Sequence, residues 1–174
     1  MTEHEAMGLG HLKSILAHHV WATLNLVDVC AKLTPAQLEL TAPGTYGSIR
    51  LTLDHLVRAD ARYQARMLAK PPVRPEPASS LAVLRKEMEV QGEQWRDFAG
   101  RVADLRAHIP AEGGADPYPE IKEAVGLLLV QATHHGNDHR THVCTVLGAH
   151  GLAAPELSGW EYFRLVAEGK VASW

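Results

Sequence analysis

IKEAVGLLLVQATHHGNDHRTHVCTVL, residues 121–147, is the stretch that decides the fold, because its apolar residues and its histidines follow one helical pattern. Alternating steps of four and three residues join positions on one helix face, as at the a and d positions of a coiled coil. We call the positions joined in this way the histidine seam: Ile121, Val125, Leu128, Ala132, His135, His139, His142 and Val146. The pattern predicts a helix whose inner face carries apolar side chains in its first half and three histidines after them.

Three further segments have helical periodicity, and proline or glycine residues separate them. With the stretch above, the predicted long helices cover about residues 4–33, 49–70, 80–108 and 119–147. Thr34 and Pro35 resemble the N-cap and first-turn proline of a short extra turn, and Ser48 is the predicted N-cap of the second long helix. Gly148 and Gly151 are expected to close the fourth helix.

No segment has the alternating pattern of a strand, and no internal repeat is present. Four helices of this length predict an all-α protein, a four-helix bundle that occupies residues 1–174 as a single domain with a short C-terminal extension. The proline-rich segment PPVRPEPASS, residues 71–80, is expected to form a long extended connection between the second and third long helices. It is long enough to cross the bundle, so the order of neighbouring helices stays open here.

Composition and charge exclude several classes of protein. The chain has 174 residues, of which 46% are hydrophobic and 21% charged, as is typical of a globular protein. A formal net charge of -3 disfavours a nucleic-acid partner, which requires a basic surface. The longest apolar run, VGLLLV, is too short to span a membrane, and the polar N-terminus lacks a signal-peptide core, so we expect a cytoplasmic protein. Cys30 and Cys144 are expected to be free thiols.

The three histidines of the seam are predicted to project into the bundle interior. At about 100° per residue, His139 lies about 40° from His135 and His142 about 20° to the other side, whereas His134 lies about a quarter-turn away. A buried imidazole without a partner carries a desolvation cost, and a divalent metal ion removes it. An i, i+4 pair such as His135 and His139 is a known zinc-binding arrangement. Packed core histidines or a hydrated helix face remain the alternative, but three histidines in one seam favour a metal.

A metal site needs a further ligand from a neighbouring helix, and His55 is the best candidate. It lies in the middle of LTLDHLVRAD, between two leucines. Alone, such a residue is more often a packed core histidine; beside the pair on the fourth helix, a ligand is favoured. His18 and His19 are weaker candidates, and His11 is weaker still. The histidines near segment ends are expected to be hydrated: His4, His108 and His150.

Several motifs of metal-dependent and hydrolytic enzymes are absent from the sequence. Gly136 follows His135, so the H-E-x-x-H pattern of zinc proteases is missing. No Glu-x-x-His occurs anywhere, which excludes the di-iron carboxylate bundle. The chain also lacks G-x-S-x-G, P-loop and G-x-G-x-x-G motifs, so serine-hydrolase, nucleotide and dinucleotide interpretations have no support.

Three stretches together resemble the DinB/YfiT-like family of metal-binding four-helix bundles. HHVWATLNLVDVCAKLTPAQL is similar to the family's first helix, and PGTYGSIRLTLDHLVRAD to its Gly-Ser-Ile loop and second helix. HHGNDHRTHVCTVLGAHGLAAPELSGWEYF resembles its H-x-x-x-H-R segment and C-terminal tail. The resemblance covers nearly the whole chain and implies the metal ligands His55, His135 and His139, the trio that the seam favours. The family is named for induction by DNA damage, and its characterised members are thiol-dependent transferases or isomerases that use small thiols such as bacillithiol or mycothiol.

His142 departs from the family, which more often has glutamine at this position. The departure leaves three roles open: a fourth metal ligand, a hydrogen-bonding group beside the ligands, or a catalytic base. We favour the last two, because three successive seam residues on a straight helix span about 10 Å at a rise of about 1.5 Å per residue. This span is too long for one small ion to reach all three easily.

Four other residues of this region have a functional and a structural interpretation. Asp138 either orients a ligand histidine or is a hydrated helix acid. Arg140 either receives an anionic substrate or pairs with a surface acid. Cys144 lies opposite the seam and is expected to pack, and Trp160 is expected to cover the open end of the bundle.

The leading hypothesis is therefore a divalent-metal enzyme that acts on a small molecule and belongs to the thiol-dependent S-transferase or isomerase type. A metal-dependent hydrolase is the first alternative, and a non-catalytic metal-binding stress protein is the second. An all-imidazole site suits zinc or nickel best, with iron, copper and manganese as further candidates. The resemblance and the frequency of symmetric pairs favour a homodimer. Neither a nucleic acid nor a membrane is expected as a partner.

Overall fold

The computed structural model describes residues 3–68, 80–101 and 125–174. Over these ranges the chain forms helices and no strand, which confirms the all-α prediction: α1 (Glu3–Cys30), α2 (Pro35–Leu38), α3 (Ile49–Met67), α4 (Leu81–Arg101), α5 (Val125–Ala149) and α6 (Gly159–Ala167). Several expectations fall outside the described residues: the extended connection over 71–79, the helix end near His108, the helix start near Pro119, the seam position Ile121, and the side chain of His4.

The four long helices form the predicted bundle, but neighbours in sequence are not always neighbours in space. α1 packs against α4 and α5, and α3 packs against the same two helices. α1 and α3 therefore occupy opposite corners of the bundle, and so do α4 and α5. The proline-rich connection joins α3 to α4, which pack side by side. Within residues 3–68, the diagonal step across the bundle is the one from α1 to α3.

The core is built from the apolar faces of these four helices. The apolar seam positions Val125, Leu128, Ala132 and Val146 are all buried, as the pattern predicts. Among the largest side chains that the core encloses completely are Trp95, Leu16, Leu26, Ile49, Leu53, Leu84, Met88 and Leu147. Each buried square ångström of apolar surface stabilises the fold by about 25 cal/mol, so these faces determine which sides of the helices meet.

A capped turn and a short loop determine where α3 begins. α1 ends at Cys30 rather than near Leu33, and the predicted extra turn follows as α2, where the Thr34 hydroxyl accepts from the Gln37 N–H at 3.3 Å. The predicted N-cap is confirmed too, because the Ser48 hydroxyl accepts from the Leu51 N–H at 3.2 Å. The loop between α2 and α3 turns at Gly44, whose φ of 78° suits glycine. It places Tyr46 beside α3.

The C-terminal extension packs its aromatic residues differently from the prediction. α5 runs through Gly148 to Ala149, so the expectation that Gly148 helps to close the helix is wrong. Gly151, which has a φ of 68°, follows the helix end, and the N–H of Leu152 bonds the carbonyl of Leu147 at 2.9 Å. On α6 the buried aromatic residue is Tyr162, which contacts His18 and Trp21. Trp160 is 90% exposed, so the expectation that it covers the end of the bundle is wrong. The register of α6 turns Tyr162 inward and Trp160 outward.

Among the described helices, none combines the length and the apolar character that crossing a membrane requires.

Candidate metal centre

Two neighbouring helices bring three histidines together. α3 contributes His55, and α5 contributes His135 and His139 from the seam. Each offers one ring nitrogen, and these nitrogens all lie within 4.8 Å of one another. We call these three residues the histidine cluster. The sequence predicted all three, and the structure brings all three to one place.

The local sequence explains why the rings converge. His135 and His139 are one helical turn apart on α5, and their ring centroids lie 4.2 Å apart. His55 lies on α3 between Leu53 and Leu56, which are both buried, so packing of α3 turns its ring towards α5. The centroid of the His55 ring is 5.0 Å from that of His135 and 4.8 Å from that of His139.

The cluster fits a divalent metal ion by the spacing and the chemistry of its nitrogens. A zinc–nitrogen bond of about 2.0–2.1 Å in a tetrahedral site separates two ligand nitrogens by about 3.3 Å. Nε2 of His55 and Nε2 of His135 lie 3.0 Å apart, close to this value. Nδ1 of His139 is buried and has no hydrogen-bond partner in the part of the chain that the structure describes. Neutral imidazole nitrogens are ligands that zinc and similar ions accept, so the donor set fits an ion as well as the spacing does.

Burial keeps the three imidazoles neutral. Burial first, and then the neighbouring His139 and His55, lower the pKa of His135 to about 4. Burial, followed by His55 and His142, lowers the pKa of His139 to about 4. Burial also lowers the pKa of His55 from its usual value. At pH 7 all three rings therefore present neutral nitrogen, which is the form that binds a metal.

Two tyrosines border the cluster, and neither was predicted from the sequence. The Tyr46 hydroxyl lies 2.9 Å from Nδ1 of His55, and the ring of Tyr46 stacks on that of His55 at 4.3 Å between centroids. The ring of Tyr63 meets His135 edge-on at 5.6 Å. Tyr63 lies two helical turns after His55 on α3, a spacing that the sequence displayed. Tyr46 lies in a loop, where periodicity carries no information.

His142 lies next to the cluster without belonging to it. Its ring centroid is 5.4 Å from that of His139, and its side chain is half-buried. Nδ1 of His142 is buried and, among the described residues, has no hydrogen-bond partner. His142 is not one of the three residues whose nitrogens meet within 4.8 Å.

The other described histidines of α1 and α5, and His150, lie outside the cluster. Nε2 of His18 lies 2.8 Å from the carbonyl oxygen of Leu157, so that ring faces the C-terminal extension. His134 is exposed, as predicted, and its Nε2 lies 3.4 Å from the carboxylate of Asp138. Asp138 is thus a surface acid whose nearest imidazole is His134 rather than a ring of the cluster. His11 and His150 are exposed.

A second group of polar residues is buried between α1, α3, α4 and α5. Asp60, only 2% exposed, accepts hydrogen bonds from Nε1 of Trp95 at 2.7 Å and from Nε2 of His19 at 3.1 Å. Arg140, 5% exposed, donates to the Thr23 hydroxyl at 3.0 Å. The expectation that Arg140 pairs with a surface acid is therefore wrong, because α1 covers this side of α5. His19 is a buried partner of Asp60 and not a metal ligand.

Gly136 allows α1 to approach α5 at this point. A Cβ atom at this position would lie 2.4 Å from Cε1 of His19 and 2.7 Å from Nδ1 of the same ring. In the sequence, Gly136 indicates only that the H-E-x-x-H motif is missing. In the structure the absence of a side chain here admits the His19 ring between the helices. Half-buried Cys144 lines a groove of about 330 Å³ with Arg140, Thr141 and Leu157 of the C-terminal extension.

The fold and the site together define a class: an all-α bundle with three histidines, from two of its helices, that could hold a metal ion. The model of the DinB family matches residues 6–168, and the chain belongs to that family. The family resemblance drawn from the sequence is therefore confirmed. No curated protein matched the sequence.

Proposed function

We propose that the protein is a metal-dependent enzyme acting on small molecules, with its metal ion held by His55, His135 and His139. The observation that carries this proposal is the convergence of three ring nitrogens within 4.8 Å. Three protein ligands leave a coordination position for a substrate or water, which is typical of catalytic rather than structural zinc sites. His55 and His135 are only half-buried, so a small molecule has access to that position.

The charge of the cluster favours an anionic ligand. The cluster contains no carboxylate, so a divalent ion bound by its three neutral imidazoles keeps its full positive charge. Such an ion lowers the pKa of a thiol or a water molecule bound to it. The family resemblance implies a low-molecular-weight thiol, and we propose S-transfer or isomerisation of the thiol-dependent type. Metal-dependent hydrolysis and non-catalytic metal binding are the alternatives, and the experiment below separates them from the thiol-dependent type.

His142 is proposed as the base or hydrogen-bonding group of the site. Its ring lies one helical turn beyond His139, at 5.4 Å between centroids, and its buried Nδ1 has no bond to any described residue. A base must reach the proton that it removes, either directly or through one water. This ring is near enough to the cluster to act on a bound molecule, while His55, His135 and His139 suffice to hold the ion.

Imidazole nitrogens suit zinc, nickel, copper and iron, whereas manganese prefers oxygen ligands. We propose zinc or nickel as the native ion and keep copper and iron as the alternatives. Neither ion needs the carboxylate ligands that the cluster lacks.

A cobalt-substituted protein tests the metal site and the thiol proposal together. The metal-free chain should take up one equivalent of cobalt(II), and its visible spectrum should change on addition of a small thiol. His134→Ala is the matched control, because the ring of His134 is exposed on the same helix, outside the cluster. If the metal-free chain fails to bind cobalt(II) stoichiometrically, the metal site itself is contradicted. Cobalt binding without any thiol response contradicts the thiol-dependent proposal and favours a hydrolase or non-catalytic metal binding.

A further inference from the structure

Among the described residues, the side-chain hydrogen bond and the ring contacts of Tyr46 are all with the histidine cluster. Its hydroxyl oxygen is 2.9 Å from Nδ1 of His55, and the two rings stack at 4.3 Å between centroids. The same tyrosine ring meets His139 nearly at right angles, at 4.8 Å between centroids. The side chain is 46% exposed, so the hydrophobic core accounts for little of its placement. The rings of His55 and His139 hold it in position.

The two nitrogens of His55 face different partners. Nε2 faces the cluster, because it lies 3.0 Å from Nε2 of His135, whereas Nδ1 faces the phenol. A neutral imidazole carries its proton on one nitrogen and a lone pair on the other. For Nε2 to bind an ion, the proton must be on Nδ1, and the oxygen of Tyr46 is then an acceptor at hydrogen-bond distance.

We propose that Tyr46 is the positioning residue of the metal centre. Its phenol oxygen accepts the Nδ1–H of His55 and so holds the tautomer whose Nε2 is available to the ion, while the stacked ring restricts rotation of the imidazole. The inference rests on the proposed function, because it assumes that the cluster binds a metal. Metal-bound histidines usually donate this second N–H to a carboxylate, a carbonyl or water, and here a phenol takes that place.

The hydroxyl and the ring of Tyr46 can be tested separately. Tyr46→Phe removes the acceptor and keeps the stacked ring, and Tyr46→Leu removes both. The exposure of the side chain makes either replacement compatible with folding. Tyr63→Phe is the matched control: its ring also borders the cluster, 5.6 Å from His135, but its hydroxyl accepts from the Gln131 amide at 3.3 Å. It therefore removes a phenol oxygen beside the cluster without removing a partner of a histidine.

The first measurement is the affinity of the full-length, metal-stripped chain for cobalt(II), determined by competition with a coloured chelator. Loss of a group that orients a ligand lowers metal affinity about 10–100-fold. We expect a decrease of about tenfold for Tyr46→Phe, at the low end of that range because water can replace the phenol. Tyr46→Leu should lose more, and Tyr63→Phe should bind like the wild type. Wild-type affinity in Tyr46→Phe overturns the proposal.

The second measurement requires no metal. Long-range proton–nitrogen NMR spectra of the metal-free protein distinguish an imidazole protonated at Nδ1 from one protonated at Nε2, and a His55→Gln variant assigns the signals. In the wild type we expect His55 to carry its proton on Nδ1, and in Tyr46→Phe a shift of population towards Nε2. A His55 ring protonated at Nε2 in the wild type, or unchanged in Tyr46→Phe, overturns the role of Tyr46 alone. Failure of the wild type to bind any divalent ion overturns the proposed function instead.

Discussion

Replacing Gly136 with alanine tests how closely α1 and α5 approach beside the histidine cluster. The added Cβ would lie 2.4 Å from Cε1 of His19, whereas carbon atoms normally approach to about 3.5–4.0 Å. The His19 ring would have to move by about 1 Å or more. That movement breaks or stretches its hydrogen bond to Asp60, which is 3.1 Å long in the native structure. Both residues are buried, so no water replaces the lost bond.

Two opposing effects determine the expected change in stability. Alanine is favoured over glycine inside a helix by about 1 kcal/mol. Overpacking a well-filled site costs about 1–3 kcal/mol, and a lost bond to a charged group costs about 1.5–3 kcal/mol. The two costs describe one displacement, so we take about 3 kcal/mol for both together. The net expectation is a decrease of about 2 kcal/mol in the free energy of unfolding.

Urea denaturation of the metal-free protein measures this change, because a bound metal would add its own stabilisation. Gly148→Ala is the matched control on the same helix: its Cβ would meet nothing within 4 Å, so the variant should be as stable as the wild type or slightly more stable. The free energy of unfolding of Gly92→Ala should lie between those of Gly136→Ala and Gly148→Ala, because its Cβ would approach a methyl group of Val20 at 2.9 Å. A Gly136→Ala protein at least as stable as the wild type would refute the reasoning.

Four further expectations concern the metal, pH, assembly and surface. Replacing His135 or His139 with alanine should abolish stoichiometric metal binding, and His55→Ala should weaken it severely. His134→Ala should bind metal like the wild type. Elemental analysis of the purified variants measures the metal content. Because folding lowers the pKa of His135 and of His139 to about 4, the unfolded chain binds more protons between about pH 6.5 and pH 4. The free energy of unfolding of the metal-free protein should therefore fall as the pH drops through this range; a flat profile in urea titrations contradicts this. We expect a homodimer, and sedimentation of a monomer near 19.0 kDa at micromolar concentration contradicts it. Trp160→Ser should leave the melting temperature of the monomer unit unchanged, because the indole is 90% exposed.

The sequence by itself determined the long helices and singled out the three histidines of the cluster. Periodicity located the long helices, and capping residues such as Thr34 and Ser48 located helix starts, because caps and periodic faces are properties of a few adjacent residues. The histidine seam predicted that His135 and His139 lie on one face, because backbone geometry fixes the rotation per residue along a helix. The choice of His55 needed one further argument, that a mid-helix histidine on an apolar face completes such a pair.

Only the tertiary structure decided which faces are covered and what borders the site. Arg140 and Asp60 are polar in sequence and buried in the fold, because other helices cover the faces on which they lie. Tyr46 reaches His55 through a loop, whose path no periodic pattern describes. His55 and His135 are 80 positions apart in the chain, yet their Nε2 atoms lie 3.0 Å apart. Such contacts depend on which helices become neighbours, and that is settled by the packing of all four apolar faces at once.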